Sequence, residues 1–180
     1  MELLNMHGGN IELLAPQYGF RVGDVLDFSA NINPYGPPPG TKDLLARQWQ
    51  DITRYPDPHS THLSEVLARW HNVQTKNITV ANGASELIYW IARIYPTPRA
   101  FVLGPTFTEY STAVQSAGGE TRYEFTEEKN EFRHVFKNIK IDSGDRINLV
   151  YVGHPNNPTG TLADTASLQK WIEQSLSRSS

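Results

Sequence analysis

The segment His154-Pro155-Asn156-Asn157-Pro158-Thr159-Gly160 follows directly on the apolar run Ile147-Asn148-Leu149-Val150-Tyr151-Val152. Two carboxamides and a threonine hydroxyl at the end of a buried strand suit a loop that holds an oxygen-bearing ligand by hydrogen bonds. A second segment, Asn82-Gly83-Ala84-Ser85, sets a glycine and small residues at the start of a helical run. There the free N–H groups and the positive end of the helix dipole favour a phosphate, and Ser85 adds a hydroxyl donor. Taken alone, the same residues are explained by a tight turn at Gly83 and a helix cap at Ser85. A third, Gly104-Pro105-Thr106-Phe107-Thr108-Glu109-Tyr110, brings Tyr110 into the first turn of a helix, where its ring can cover a flat ligand or pack in the core. In the fourth, Asn31-Ile32-Asn33-Pro34, paired asparagines offer amide donors to an oxygen anion, and the Asn33-Pro34 bond is a candidate for cis.

Loops of this kind need a scaffold that brings them together. Short β-rich runs at Ile78-Thr79-Val80, Ala100-Phe101-Val102-Leu103, Thr121 to Phe125 and Ile147 to Val152 alternate with helical periods at Glu86 to Ile94, around Tyr110 to Ala117, and at Asp164 to Gln174. Gly118-Gly119 is placed to end the second of these helices. Such alternation predicts an α/β fold, a mainly parallel sheet with flanking helices, and ligands in that fold sit beyond the carboxyl ends of the strands. Residues 1–40 read as an irregular arm with a Pro-rich lead-in, since Pro37-Pro38-Pro39 forbids a helix. Residues 41–176 read as the α/β domain and residues 177–180 as a frayed tail. At its start, Thr41 is expected to cap a helix bearing Leu44, Leu45, Trp49 and Ile52, broken by Arg54-Tyr55-Pro56-Asp57-Pro58. A second helix follows with Leu63, Val66, Leu67 and Trp70 on one face. The charged stretch from Glu127 to Asp145 has no period that assigns it.

Composition narrows the partners. Lys+Arg 16 against Asp+Glu 19 gives a formal charge of -3, so no basic surface argues for nucleic acid and no polybasic stretch for a membrane. Without cysteine there is no disulfide, no thiolate metal site and no cysteine nucleophile. Met1 to Asn5 carries neither a basic leader nor a long apolar run, and a cytoplasmic location is expected. The pair His59-x-x-His62 lacks a third ligand cluster, so no metal site is expected.

Considered in order, Asn33-Pro34-Tyr35-Gly36, Arg54-Tyr55-Pro56-Asp57, Asn82-Gly83-Ala84-Ser85-Glu86, Gly104-Pro105-Thr106 through Tyr110, and Asn156-Asn157-Pro158-Thr159-Gly160 resemble the fold-type I pyridoxal-phosphate (PLP) enzymes, more narrowly the histidinol-phosphate aminotransferase group. His7-Gly8-Gly9-Asn10 with Asp27 to Pro34 looks most like the threonine-phosphate decarboxylases of cobalamin synthesis within that group. The resemblance implies an aspartate aminotransferase-like large domain, present here in part. It implies that Ala84 and Ser85 hold the PLP phosphate, that Tyr110 stacks on the pyridine ring and that Asn157 donates to the phenolic oxygen. Tyr55 would reach the phosphate of a cofactor bound mainly by the other subunit of a homodimer. His7, Gly8 and Asn33 would lie at a phosphorylated amino-acid or amino-alcohol substrate. The family's Schiff-base lysine and its aspartate for the ring nitrogen fall after the Asn-Pro-Thr-Gly stretch. Lys42, Lys76, Lys129, Lys137, Lys140 and Lys170 match no such motif. These 180 residues are therefore expected to lack a catalytic residue, to form no covalent link to PLP, and to be inactive alone. Decarboxylation of O-phospho-threonine, transamination of histidinol phosphate, and an inactive remnant or interaction module are the readings left open.

Overall fold

A computed structural model describes residues 8–141, 144 and 146–177, and the chain divides into two compact units, Met1–Ile78 and Thr79–Ser180. Among the described residues of the first unit, three α-helices are joined by turns: α1 (Ile11–Gln17), α2 (Thr41–Arg47) and α3 (Thr61–His71), with a 3-10 turn at Trp49–Thr53. Gly40, not Thr41, occupies the cap position of α2, at φ 84°, and Thr41 opens the helix with its hydroxyl donating to the Pro38 carbonyl at 2.7 Å. The stripe expected on α3 forms, but the helix expected to carry Leu44, Leu45, Trp49 and Ile52 ends at Arg47, leaving Trp49 and Ile52 in the 3-10 turn. Leu45, Trp49, Ile52, Leu63 and Trp70 are all exposed. Only Ala15, Ser64 and Ala68 are buried among the described residues of this unit.

Asp57 organises the entry to α3. Its carboxylate accepts the N–H of His59 at 2.9 Å and of Thr61 at 2.7 Å, the second being the first residue of the helix. These bonds to the charged form, the His59 N–H foremost and then the Thr61 hydroxyl and N–H, hold the Asp57 pKa down at about 2. The folded value lies below the unfolded one, so the stabilisation is complete above about pH 4 and is lost as pH falls through about 2. Hydrogen exchange at the Thr61 amide is expected to be constant from neutral pH to about pH 4, once corrected for intrinsic rate, and to lose protection below it. Constant protection down to pH 2 would show that the carboxylate is not the acceptor.

The second unit is the α/β layer structure that the alternation predicts. Helix α4 (Ala84–Arg93) precedes β1 (Arg99–Gly104), followed by α5 (Glu109–Ser116), β2 (Glu120–Phe125), β3 (Leu149–Tyr151) and α6 (Thr165–Ser177). The three strands are parallel in the order β2-β1-β3, with Val102 opposite Tyr123 on one side and Tyr151 on the other. Strand β1 is apolar at successive positions because both of its faces are covered. Ala100 and Val102 pack with Ala92 of α4 and with Ala113 and Val114 of α5, whereas Phe101 and Leu103 pack with Phe136, Ile139 and Trp171 of α6. Trp171 Nε1 donates to the Ile139 carbonyl at 3.0 Å, so the indole is buried without an orphaned donor. Asp164 caps α6 by accepting the Ser167 N–H at 3.2 Å.

Helix α5 ends as Gly118-Gly119 foretells. Gly118, at φ 74°, donates its N–H to Gln115, and Gly119 donates to Val114, which together form a Schellman motif. A Cβ on Gly119 would collide with the Pro98 carbonyl, so this glycine is also required for β2 to enter the sheet beside β1. Ile78 is extended, but Ile78-Thr79-Val80 has no ladder partner among the described residues and is therefore not a strand there. Among the described residues no helix is long and apolar enough to cross a membrane.

Candidate functional site

Strand β1 lies between its two neighbours, and the chains leaving β1 and β3 diverge: the first runs into α5 on one face of the sheet, the second into α6 on the other. The crevice between the carboxyl ends of β1 and β3 is thus the topological switch point, where open α/β sheets take their ligands. Tyr110 comes from the β1 side of this crevice and Asn157 from the β3 side.

Tyr110 is half-buried. Its ring stacks on Tyr151 of β3, centroids 4.6 Å apart and planes 10° from parallel, and meets Phe107 edge-on at 5.9 Å. Tyr151, 7 % exposed, donates its hydroxyl to the Ile88 carbonyl of α4 at 3.1 Å. Tyr89 of the same helix donates to the Glu109 carboxylate, in the first turn of α5, at 2.9 Å. Desolvation raises the pKa of both Tyr110 and Tyr151, so both phenols stay protonated and neutral near pH 7.

Those two bonds tie the middle of α4 to β3 and α5, and Ser85 lies one turn before Ile88 on the same helix face. Gly83 caps α4 at φ 85°, ψ 164°, a conformation open essentially to glycine alone. Ala84, Ser85 and Glu86 follow as its first turn, whose N–H groups have no intrahelical acceptor. The Glu86 carboxylate bonds back to the Asn82 N–H at 2.6 Å and fixes the entry of the chain. Gly83, Ala84 and Ser85 are exposed.

On the other side of the crevice, Asn157 is exposed, while its neighbour Asn156 is buried and bonded on every side. Asn156 Nδ2 donates to the Pro105 carbonyl and to Thr159 Oγ1, each at 2.8 Å, and its Oδ1 accepts from Thr106 Oγ1 at 2.6 Å. Its main chain bonds to Thr161 at 2.9 Å and to Gly160 at 2.7 Å. His154 Nδ1 accepts the Ala163 N–H at 3.1 Å. The bonds before Pro105, Pro155 and Pro158 are cis, whereas the one before Pro34 is not.

Three further residues singled out from the sequence lie in the first unit. Tyr55 is fully exposed beyond the 3-10 turn. Asn33 uses its side chain locally, donating to the Gly36 carbonyl and accepting the Tyr35 N–H, each at 3.0 Å. Gly8 packs so closely on the Ser29 backbone that no Cβ fits there, and Gly9 donates to Ser29 Oγ at 2.8 Å. His7 lies outside the described residues. Sequence reasoning did not single out Tyr151 or Asn156. In the sequence, Tyr151 is one position of a strand-like run and Asn156 one of two adjacent carboxamides.

These donors fit PLP in kind: first-turn amides and a hydroxyl for a dianionic phosphate, a carboxamide for a phenolate oxygen, and an aromatic side chain beside a flat ring. The sequence model of the family Aminotransferase class I and II matches residues 23–177. The threonine-phosphate decarboxylase of Salmonella typhimurium is 36% identical over 170 residues, spanning 94% of this chain and 46% of that protein. The histidinol-phosphate aminotransferase of Moorella thermoacetica is 34% identical over 169 residues, spanning 93% of this chain and 42% of that one. Among solved structures, the histidinol-phosphate aminotransferase from Sinorhizobium meliloti in complex with pyridoxal-5'-phosphate shares the fold at TM-score 0.71 and 21% identity, over 80% of this chain and 39% of that chain. This chain spans less than half the length of each of these three proteins. The chain belongs to the aminotransferase class I and II family, whose members depend on pyridoxal 5'-phosphate.

Proposed function

We propose that this chain supplies the cofactor-orienting half of a PLP-dependent enzyme acting on a phosphorylated amino compound, with decarboxylation of O-phospho-threonine as the reaction. The observation that supports the reading is the topology: Tyr110 follows β1 and Asn157 follows β3 at the switch point of a parallel sheet, and α4 is tied to β3 by the Tyr151–Ile88 bond. PLP supplies an electron sink for carbanion chemistry when bound. The chain's own residues hold and orient it. First-turn amides of α4 and the Ser85 hydroxyl grip the phosphate, Asn157 donates to the phenolic oxygen, and Tyr110, kept neutral by burial, lies along the ring without adding charge. Exposed Tyr55 suits contact with the phosphate in a second copy of the chain, in a homodimer with shared sites. Gly8 and Asn33, and His7 with them, belong on this reading to the substrate side.

Transamination of histidinol phosphate is the second reading, favoured by the Moorella thermoacetica relative. Assay of the protein that carries these residues with both substrates separates them. Release of carbon dioxide from O-phospho-threonine is expected, and turnover of histidinol phosphate alone sinks the decarboxylase assignment. The cofactor part of the reading is tested on the 180 residues themselves by PLP titration, followed by absorbance. Saturable binding is expected, weakened about fivefold to about thirtyfold in Asn157→Ala by loss of a hydrogen bond to a charged oxygen. Equal affinity in the variant would remove Asn157 from the site.

A further inference from the structure

We infer that Asn156 is a positioning residue that locks the loops after β1 and β3 into one ligand-holding unit, with Thr106 as its partner. The inference rests on the PLP reading for its purpose but not for its geometry. At a switch point the two chains leave toward opposite faces of the sheet, and the β1–β3 ladder ends at Val102 and Tyr151, so it does not reach the loops to keep them in register. Asn156 spans that gap. Both side-chain N–H groups and the side-chain carbonyl are engaged, across the crevice to Pro105 and Thr106 and within its own loop to Thr159.

The surroundings are built for this contact. Asn156 is 8 % exposed, so water does not replace a lost partner easily, and each orphaned group costs more than the bond itself contributes. Gly153 lies where a Cβ would come within 2.5 Å of Asn156 Oδ1 and 3.2 Å of Thr106 Oγ1, so a larger residue would push the pair apart. Thr159 Oγ1 is bonded in turn to Thr161 Oγ1 at 2.8 Å, which carries the network down the loop. Asn157 follows Asn156 directly in the chain, and Tyr110 lies four residues after Thr106, at the start of α5. The lock therefore sets the separation between the two groups that would meet the cofactor ring. It does not touch the phosphate grip at α4.

Two measurements test this. The first needs no cofactor: hydrogen exchange in Asn156→Ala and in the near-isosteric Thr106→Val. If the loops are locked together, Asn156→Ala lowers protection at the Gly160 amide and also at the Tyr110 and Thr112 amides across the crevice, and Thr106→Val does the same while Thr106→Ser restores it. Loss confined to the loop that carries the substitution, with unit-wide stability unchanged, would overturn the proposal. The second is a double-mutant cycle read by PLP affinity. Asn156→Ala is expected to weaken binding about tenfold in the wild-type chain, but by less than about twofold when Asn157 is already alanine, because it acts through that side chain. Independent, multiplying losses would overturn it as well. If the wild-type chain fails to bind PLP while the two loops still lose protection together, the functional reading fails and the lock stands.

Discussion

Phe101→Ala is expected to lower the stability of the second unit by about 3–5 kcal/mol, the range for a fully buried aromatic replaced by alanine. Phe101 is 0 % exposed and lies in the middle of the central strand. Its ring meets Trp171 at a centroid distance of 6.3 Å, and the Arg122 guanidinium lies 5.4 Å from its centre. Trp171 in turn contacts Phe136 at 5.9 Å, so removal of one ring leaves a hole that two other aromatics border. Domains of this size are stable by only about 5–15 kcal/mol, which makes the loss a large fraction of the whole. Chemical denaturation should show a lower midpoint with little change in slope, and Phe101→Leu should cost less than about 1.5 kcal/mol because most of the volume remains. A loss below about 1 kcal/mol in the alanine variant would mean that β1 does not sit between two packed layers. The site should fail with the core, since β1 both ends in the Pro105-Thr106 loop and pairs with β3, whose following loop carries Asn157.

How much of this was legible depends on whether a residue's role is set locally or across the fold. The β1 run, the glycine pair after α5 and the helix period of α6 each obey a local rule, and the structure follows them to within about three residues. The β3 run is legible as a strand, although Ile147-Asn148-Leu149-Val150-Tyr151-Val152 contributes only three ladder residues, because β1 offers partners only to Leu149, Val150 and Tyr151. Ile78-Thr79-Val80 has the composition of a strand, but a ladder requires a neighbour, and no described strand lies beside it. Asn156 and Asn157 are chemically identical, so only the three-dimensional arrangement can tell which is buried and bonded and which faces outward. The tyrosine at position 151 carried no mark of its link to α4, because its acceptor is a main-chain carbonyl 63 positions away. Conversely, Thr41 obeyed a rule that the structure does not use: Gly40 takes the left-handed cap position and leaves the threonine inside the helix.

On the proposed reading, Gly83→Ala separates the phosphate grip from the ring contacts. At φ 85°, ψ 164°, an alanine is strained by about 1–3 kcal/mol, and because nothing lies within 4 Å of the added Cβ, that cost is conformational and not a clash. The backbone relieves the strain by rotating the peptides on either side, one of which carries the Ala84 N–H. A change of that kind turns a first-turn donor away from a phosphate and leaves the β1 and β3 loops alone. Affinity for PLP is therefore expected to fall about tenfold to about a hundredfold, while affinity for pyridoxal, which lacks the phosphate, stays within about twofold. Ser85→Ala, which removes a hydroxyl but leaves the backbone in place, should give a smaller loss of the same selectivity, about threefold to about tenfold. Equal losses for both ligands would show that Gly83 supports the fold in general. Unchanged affinity for both would move the phosphate away from α4, and the half-site would then rest on Tyr110 and Asn157 alone.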